Sequence, residues 1–434
     1  MTADILEELR WRGLLAISTD EQALRGALAA GPITFYCGFD PTAPSLHFGN
    51  LVQLVTMRRL QEAGHHPIAV VGGATGLVGD PSGKSAERAL NERDVVEAWV
   101  ERIKSQISGL LRFDGDNPAR MVNNLEWTAE LDTISFLRDI GKHFSVSRML
   151  AKESVSARLA EEGITFTEFS YQILQGLDYL ELFRRYGTTL QTGGSDQWGN
   201  LTAGVDLIRR VEGAAVHALA TPLVTRSDGT KYGKTEADAL FLDPAMTSPY
   251  AFYQFFLNAA DADAGPLLRV FSLRDRAEIE ELERETAERP QERRAQQALA
   301  EELTTLLHGA EQTRAVIAAS QAVFGQGDLR RLDEATLGSV AAAVPHARID
   351  GDLPSMTDLL VASGLASSRS EARRTIQEGG AYLNNERASE PDSAPSPDDL
   401  LHGRWLVLRR GKRTLAIVEV GPQGKPGDFS PGVQ

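Results

Sequence analysis

A chain of 434 residues, 42% hydrophobic and 24% charged, has the size of two or three domains and the composition of a globular protein with a sizeable core. Its net charge of −15 argues against a broadly basic surface, yet the balance is uneven: from Pro354 on, ten basic and ten acidic residues cancel, leaving the whole deficit ahead of that point. One cysteine, Cys37, excludes a disulfide framework and a multi-cysteine metal site; there is no apolar run of about 18 residues to span a membrane, and the acidic start MTADILEELRWRGLL is unlike a signal peptide, so a cytoplasmic protein is expected.

The first half alternates strand-like and helix-like segments. Residues 33–39 (ITFYCGF) and 67–72 (PIAVVG) are short apolar runs of the kind a buried parallel strand shows. Between them, over 47–63, Leu51, Leu54, Val55 and Leu60 recur at helical spacing, completing a βαβ unit. The same reasoning predicts a helix over 94–111, a strand over 121–123, a helix over 168–183, and strands over 188–191 and 217–224. The expected fold over 1–225 is α/β, a doubly wound, Rossmann-like parallel sheet whose ligands lie beyond the carboxyl ends of the strands. After residue 250 the character changes. Residues 274–318, rich in Glu, Arg, Ala, Gln and Leu and broken only by Pro290, read as antiparallel helices within a helical domain over 226–325. A Gly/Asp/Ala/Pro mixture over 326–353 reads as a linker. A small α+β unit is expected over 354–434, with helices over 355–364 and 369–378 and strand-like YLNN and WLVLRRGKRTLAIVEV.

Segment 36–50 (YCGFDPTAPSLHFGN) is a strand, a Pro-containing turn, and then His47 and Gly49 opening a helix. Unpaired N–H groups and the positive end of the dipole favour an anion there. Further on, SDGTKYGKT (227–235) sets Lys231 and Lys234 in a Gly-rich loop able to close over a polyphosphate. Taken singly, the first is also an ordinary βα loop and the second a solvated lysine face. Residues 79–85 (GDPSGKS) are no P-loop, because the first glycine of that pattern would fall on Val78, and no G-x-G-x-x-G follows a strand. Tyr171, Gln175 and Asp178, spaced i, i+4, i+7, share one stripe of a helix otherwise lined by Ile173, Leu174, Leu177, Leu180 and Phe183. Such a stripe faces either a pocket or solvent. Cys37 has no activating base beside it and reads as a pocket wall, while His65, His66, His143 and His217 show no partner pattern.

HFGN and KYGKT together, in this order and separated by an α/β stretch, resemble the HIGH and KMSKS signatures of class I aminoacyl-tRNA synthetases. Longer stretches, YCGFDPTAPSLHFGN, GGATGLVGDPSGKSAER, FTEFSYQILQGLDYL and QTGGSDQWGN, are similar to the bacterial tyrosyl-tRNA synthetases, and SMTDLLVASGLASSRSEARRTIQEGGAYLNN resembles their S4-type RNA-binding module. One departure is Asn50, which stands where the signature has its second His. The resemblance implies a two-step reaction: ATP activates L-tyrosine to tyrosyl-adenylate and pyrophosphate, and the tyrosine then passes to the 3′-terminal adenosine of its tRNA.

The resemblance also implies residue roles. Tyr36 and Asp178 would read the phenolic hydroxyl, Tyr171 and Gln175 would hold the ammonium with Asp80 assisting, and Gln191, Asp196 and Gln197 would line the ribose and carboxylate end. ATP would meet Gly38, Asp40, Thr42, His47, Gly49, Asn50, Gly194, Asp196, Lys231 and Lys234. Charge growing on the phosphates would be met by His47, Asn50, Lys84, Arg88, Lys231, Lys234 and Thr235. Mg²⁺ would travel with ATP, with no dedicated metal ligand and no tightly bound cofactor. Arg148, Lys152, Arg209, Arg210, Arg369, Arg373 and Arg374 are the implied tRNA contacts, and a homodimer is implied. Two alternatives stay open: another nucleotide-activating α/β enzyme, such as a tryptophanyl-type synthetase or a small-molecule adenylyltransferase, and a non-catalytic RNA-binding protein worked by its C-terminal module.

Overall fold

The computed structural model describes residues 4–80, 91–152, 155, 159, 163–230, 232, 239–411 and 414–421. It divides into two units: one runs to Met246 and resumes over Ala259–Leu299, and the other comprises Thr247–Asn258 and everything from Ala300 on.

The first unit is built on a six-stranded sheet. In chain order its elements are β1 (Ile17–Ser18), β2 (Thr34–Phe39), helix α1 (Phe48–Glu62), β3 (His66–Val71), α2 (Arg93–Leu110), β4 (Arg120–Asn123), α3 (Phe166–Tyr186), β5 (Thr188–Gly194), α4 (Trp198–Val211) and β6 (His217–Thr221). The spatial order is β1-β6-β5-β2-β3-β4, with β1 antiparallel to β6 and every other pair parallel. From β2 the chain steps outward to β3 and β4, then returns to place β5 on the other flank of β2. That reversal leaves a crevice beyond the carboxyl ends of β2 and β5, where open α/β sheets bind their ligands. Tyr36 sits in register with Ile68 on one side and Gln191 on the other.

The parallel strands and their helices follow the sequence periodicity, with shifted ends. The last strand stops at Thr221 because Pro222 has no N–H to give the ladder. Helix α3 runs from a Thr165 cap, whose hydroxyl accepts from the Glu168 N–H, to Gly187 in the left-handed region at φ 64°. Its partner α4 crosses it closely: a Cβ at Gly204 would lie 2.7 Å from the Tyr179 ring. Tyr36, Ile68, Val70, Val122, Leu177, Leu180, Leu207 and Ile208 form the core between sheet and helices. Strand β1, two residues long, is too short to carry a pattern.

The helices expected over 274–318 appear as Arg276–Glu288, a 3₁₀ turn Pro290–Glu292, and Arg294–Val323. The last is broken at Gly309 (φ 83°), a second break that an isolated glycine in a helical pattern does not announce.

In the second unit, the stretch 326–353 read as a linker carries a helix, Glu334–Ala341, and strand β7 (His346–Ile349). Asp333 caps the helix, and Leu337 and Val340 bury its apolar side; a few such residues in a mixed composition are easily missed. Helices α5 (Met356–Ala362) and α6 (Arg369–Gln377) follow, then β8 (Ala381–Leu383), β9 (Glu386–Arg387), β10 (Trp405–Arg410) and β11 (Thr414–Val420). The sheet order is β7-β11-β10-β8-β9, with β7 parallel to β11. Asn384 and Asn385, at φ 47° and 70°, make the tight hairpin turn between β8 and β9. Leu359, Leu360, Leu406, Leu408, Ala416 and Val418 fill the core of this module. Among the described residues, no helix is long and apolar enough to cross a membrane.

Candidate active site

A cleft of about 460 Å³ occupies the crevice at β2 and β5. Its walls come from β2 (Tyr36, Gly38), the following loop (Asp40, Thr42), the start of α1 (His47, Gly49, Asn50), one face of α3 (Tyr171, Gln175, Asp178) and the turn after β5 (Gly194, Asp196, Gln197), with Asp80 also lining it. The polar stripe of α3 therefore faces a pocket and not solvent.

At one part of the wall Asp178 is buried and acceptor to two donors: Asn124 Nδ2 gives to Oδ2 at 3.0 Å and Trp127 Nε1 to Oδ1 at 2.8 Å. Burial pushes its carboxyl up to about 7, the two hydrogen bonds pull it back, and the neighbouring Asp40 charge adds to the rise. The Tyr36 hydroxyl is buried without a hydrogen-bond partner among the described residues, its ring edge-on to Tyr179 at 5.1 Å. Burial, and then the charge of Asp178, raise its pKa well above the ordinary phenol value, so it stays a neutral donor. A buried hydroxyl left unpaired costs free energy until a ligand meets it.

The next stretch is acidic and tightly bonded. Tyr171 OH donates to Asp40 Oδ2 and Thr75 Oγ1 to Asp40 Oδ1, both at 2.6 Å, and Asn124 Nδ2 also donates to Thr75 Oγ1 at 2.9 Å. The carboxylate is packed so closely that a Cβ at Gly72 would fall 2.0 Å from Asp40 Oδ1. Asp80 accepts from Gln197 Nε2 at 2.8 Å and from Asn200 Nδ2 at 3.4 Å. Asp40, Asp80 and Asp178 together make this a place for a cation. Gln191 is buried but does not line the cleft.

At the start of α1 the chain forms a reciprocal cap: His47 Nδ1 accepts from the Gly49 N–H and Asn50 Oδ1 from the His47 N–H, each at 3.0 Å. An accepting Nδ1 puts the proton of the neutral ring on Nε2. A Cβ at Gly49 would lie 3.0 Å from His47 Cε1, so the glycine keeps the ring in place. Segment 240–242 pairs with this turn through Phe48 N–Leu240 O and Leu242 N–Leu46 O, both 2.9 Å. Tyr232, the residue between Lys231 and Gly233 of KYGKT, lines the same cleft with its ring 5.0 Å from that of Phe48. Lys84, Arg88, Lys231, Lys234 and Thr235 lie outside the described residues.

Residues 28–325 match the family model for class I tRNA synthetases (W and Y), and residues 337–418 match a tyrosine–tRNA ligase SYY-like C-terminal domain. The chain belongs to the class I tRNA synthetases of the W and Y family. It is 64% identical to the tyrosine–tRNA ligase of Streptomyces avermitilis over 96% of this chain and 99% of that one. With the tyrosine–tRNA ligase of Acidothermus cellulolyticus it shares 59% identity over the same fractions. Among solved structures, a C-terminally truncated mitochondrial tyrosyl-tRNA synthetase of Aspergillus nidulans superposes with a TM-score of 0.67 at 28% identity, covering 72% of this chain and 92% of that one.

Membership of this synthetase family makes the protein an aminoacyl-tRNA ligase with ATP as a substrate. Cys37 suits no nucleophilic role here: it is buried, and burial pushes its thiol up to about 12. The implied tRNA contacts fall in several environments. Arg148 is exposed, whereas Lys152 is half-buried, donates to the Gly199 carbonyl, and is lowered to about 8 by burial. Arg209 and Arg210 both pair with Asp206, Arg369 with Asp358 and Arg373 with Asp392, while Arg374 is exposed. Sequence reasoning missed Thr75, Asn124 and Trp127, which hold Asp40 and Asp178. Their one signal was position, since they follow β3 and β4 at the ligand end of the sheet.

Proposed function

We propose that this synthetase is a tyrosine–tRNA ligase that activates L-tyrosine with ATP and charges tRNA(Tyr), and that the buried pair Tyr36 and Asp178 selects the substrate. The pair is the observation that carries the reading: a phenol entering beside it donates to Asp178 and accepts from the unpaired Tyr36 hydroxyl. Phenylalanine would leave the Tyr36 hydroxyl unpaired and bring no donor to Asp178, which is why hydroxyl readout rejects the analogue lacking it. Tyrosyl-tRNA synthetases are themselves the established example of this effect, with discrimination against phenylalanine of roughly 10⁵-fold. Hydroxyl readout makes editing unnecessary.

In this reading Asp80, Tyr171 and Gln175 hold the ammonium in the acidic stretch and Gln197 serves the carboxylate end, while the role the resemblance implies for Gln191 is not carried over, because its buried side chain does not line the cleft. The substrate carboxylate attacks the α-phosphorus of ATP in line and expels pyrophosphate, and the terminal ribose hydroxyl of tRNA then attacks the adenylate. Catalysis is positioning plus stabilisation of charge on phosphate oxygens. His47, through Nε2–H, and Asn50 serve that charge with the α1 N-terminus behind them, and Lys84, Arg88, Lys231, Lys234 and Thr235 complete it. Gly38, Asp40, Thr42, Gly49, Gly194 and Asp196 line the nucleotide's path. Mg²⁺ enters on ATP, held by phosphate oxygens, since the Asp40 and Asp80 carboxylates are already engaged by protein donors.

The catalytic role falls to residues 1–225 with the helical region to 325, tRNA binding to the module from 354 on, and the enzyme works in the cytoplasm as a homodimer. Ile134, Leu137, Val146 and Phe166 are exposed large apolar side chains of the kind a partner subunit would cover. The deciding experiment is ATP–pyrophosphate exchange across amino acids. Exchange with tyrosine and none with tryptophan is expected; the reverse would assign the protein to the other half of its family, and no exchange at all would leave only an RNA-binding role.

A further inference from the structure

Asp263 lies in the first turn of helix Asp261–Phe271 and is only 7% exposed. Both of its oxygens accept from outside that helix: Oδ1 takes the Ser227 N–H at 2.6 Å, and Oδ2 takes the Tyr232 hydroxyl at 3.4 Å. The chain around the first donor is a closed turn. The Arg226 N–H gives to the Thr230 carbonyl at 2.8 Å, the Gly229 N–H gives to the Arg226 carbonyl at 2.9 Å, and Asp228 Oδ1 accepts from both the N–H and the hydroxyl of Thr230. Gly229 takes φ 83°, where a side chain would be strained. One carboxylate therefore holds both ends of a segment that already holds its own middle. Burying a carboxylate is costly unless donors meet it, and both donors met here come from that one segment.

Tyr232 lines the cleft, whereas Asp263 does not. The Tyr232 ring packs 5.0 Å from that of Phe48, the first residue of α1 after His47, and the Phe48 ring lies 4.8 Å from that of Phe271, at the far end of the helix that carries Asp263. That far end is fastened to α1 by Arg59, through the Val270 and Ser272 carbonyls. The helix bearing Asp263 is thus fixed to the helix bearing His47 and Asn50, and the 227–232 segment is fixed to Asp263. Burial, and then the Asp263 charge, push the Tyr232 phenol up to about 12, so it stays a neutral donor. Resting on the reading that KYGKT serves the phosphates of ATP, we propose that Asp263 is a positioning residue for tyrosine activation, which sets Tyr232 and its neighbours in the chain against the start of α1. It touches neither substrate and acts through Tyr232.

The test is single-turnover formation of tyrosyl-adenylate by the full-length enzyme at saturating ATP, with tyrosine affinity and Tm measured alongside. The forms compared are the wild type, Tyr232→Phe, Asp263→Ala and the double variant. Tyr232→Phe removes one hydroxyl and keeps the ring on Phe48; its rate should fall about 2- to 12-fold, with tyrosine affinity and Tm unchanged. Asp263→Ala releases both ends of the segment and should lower the rate about 10- to 200-fold, again with tyrosine affinity unchanged. In the double variant the tyrosine substitution should cost nothing further, because its partner is already gone. Should Asp263→Ala fail to fold, Tyr232→Phe decides alone. A wild-type rate in Tyr232→Phe would overturn the proposal, as would a loss that falls on tyrosine affinity. So would an Asp263→Ala enzyme with a lowered Tm and an unchanged rate, or a Tyr232→Phe cost that is the same whether or not Asp263 is present. Absence of tyrosyl-adenylate in the wild type would instead overturn the underlying reading, and this inference with it.

Discussion

Asp178 reaches into the cleft with both oxygens already accepting, from Asn124 and Trp127, and with burial holding its carboxyl near neutrality, at about 7. The ionised form is the one that accepts a phenolic proton. In the free protein, a carboxyl raised from 3.8 to about 7 keeps its proton when folded over a range where the unfolded chain has lost it. Its ionisation therefore weakens the fold progressively as pH rises from about 4 to about 7, and adds nothing further above. For activity the sign is opposite: kcat/KM for tyrosine should fall as pH drops below about 7, and Asp178→Asn should erase that limb of the profile. Asp178→Ala should cost tyrosine about 10- to 200-fold in kcat/KM, the range of one charge-assisted hydrogen bond. Phenylalanine should lose far less, and equal losses would show that Asp178 does not read the hydroxyl. The i, i+4, i+7 stripe of Tyr171, Gln175 and Asp178 was legible because one helix carries all three. Asn124 and Trp127 were not, because a hydrogen bond across some fifty residues of chain leaves no mark in local spacing.

Helix α1 joins two functions that one substitution can separate. His47 caps it through Nδ1, and in the proposed reaction its Nε2 proton serves the phosphates. His47→Asn keeps a good capping residue and loses the imidazole donor, whereas His47→Ala loses both. Both variants should lower kcat for adenylate formation by about 10- to 200-fold with tyrosine KM nearly unchanged. Only the alanine variant should also lose about 1 kcal/mol of stability. A defect confined to tyrosine KM would contradict the phosphate role. Near its other end, α1 carries Arg59, buried, whose guanidinium donates to the carbonyls of Val270 and Ser272 at the end of helix Asp261–Phe271. Arg12 also gives to the Ser272 and Arg274 carbonyls, at 2.9 and 2.7 Å. Carbonyls at a helix end turn to donors from outside the helix, and Arg59 supplies two, so Arg59→Leu should cost about 2–4 kcal/mol in denaturant unfolding. A loss under about 0.5 kcal/mol would show the clamp to be dispensable. Strand and helix alternation made the sheet readable before any contact was known, because each buried strand is a short apolar run. The Arg59 clamp was not readable, since an arginine in a helix pattern reads as solvated face.

At the scale of the molecule, the sequence divides by composition and the structure by contact, and the two do not cut at the same residue. The charge balance and the linker-like mixture point to a boundary near residue 353, but β7 at His346–Ile349 already belongs to the C-terminal sheet, parallel to β11. A chain ended after Asp352 keeps β7 and removes the strand it pairs with, leaving unsatisfied N–H and C=O groups along an exposed edge. Ended at Ala343, the chain removes the whole sheet. Both forms should retain tyrosine-dependent pyrophosphate exchange, because every described residue lining the cleft lies before residue 242. Both should fail to charge tRNA at wild-type rates if the module from 354 on carries the RNA. The form ended after Asp352 should in addition aggregate more readily, measured by light scattering at equal concentration. Charging that survives removal of the whole sheet would place tRNA recognition on the catalytic body, and equal scattering from the two forms would show that β7 is held without β11.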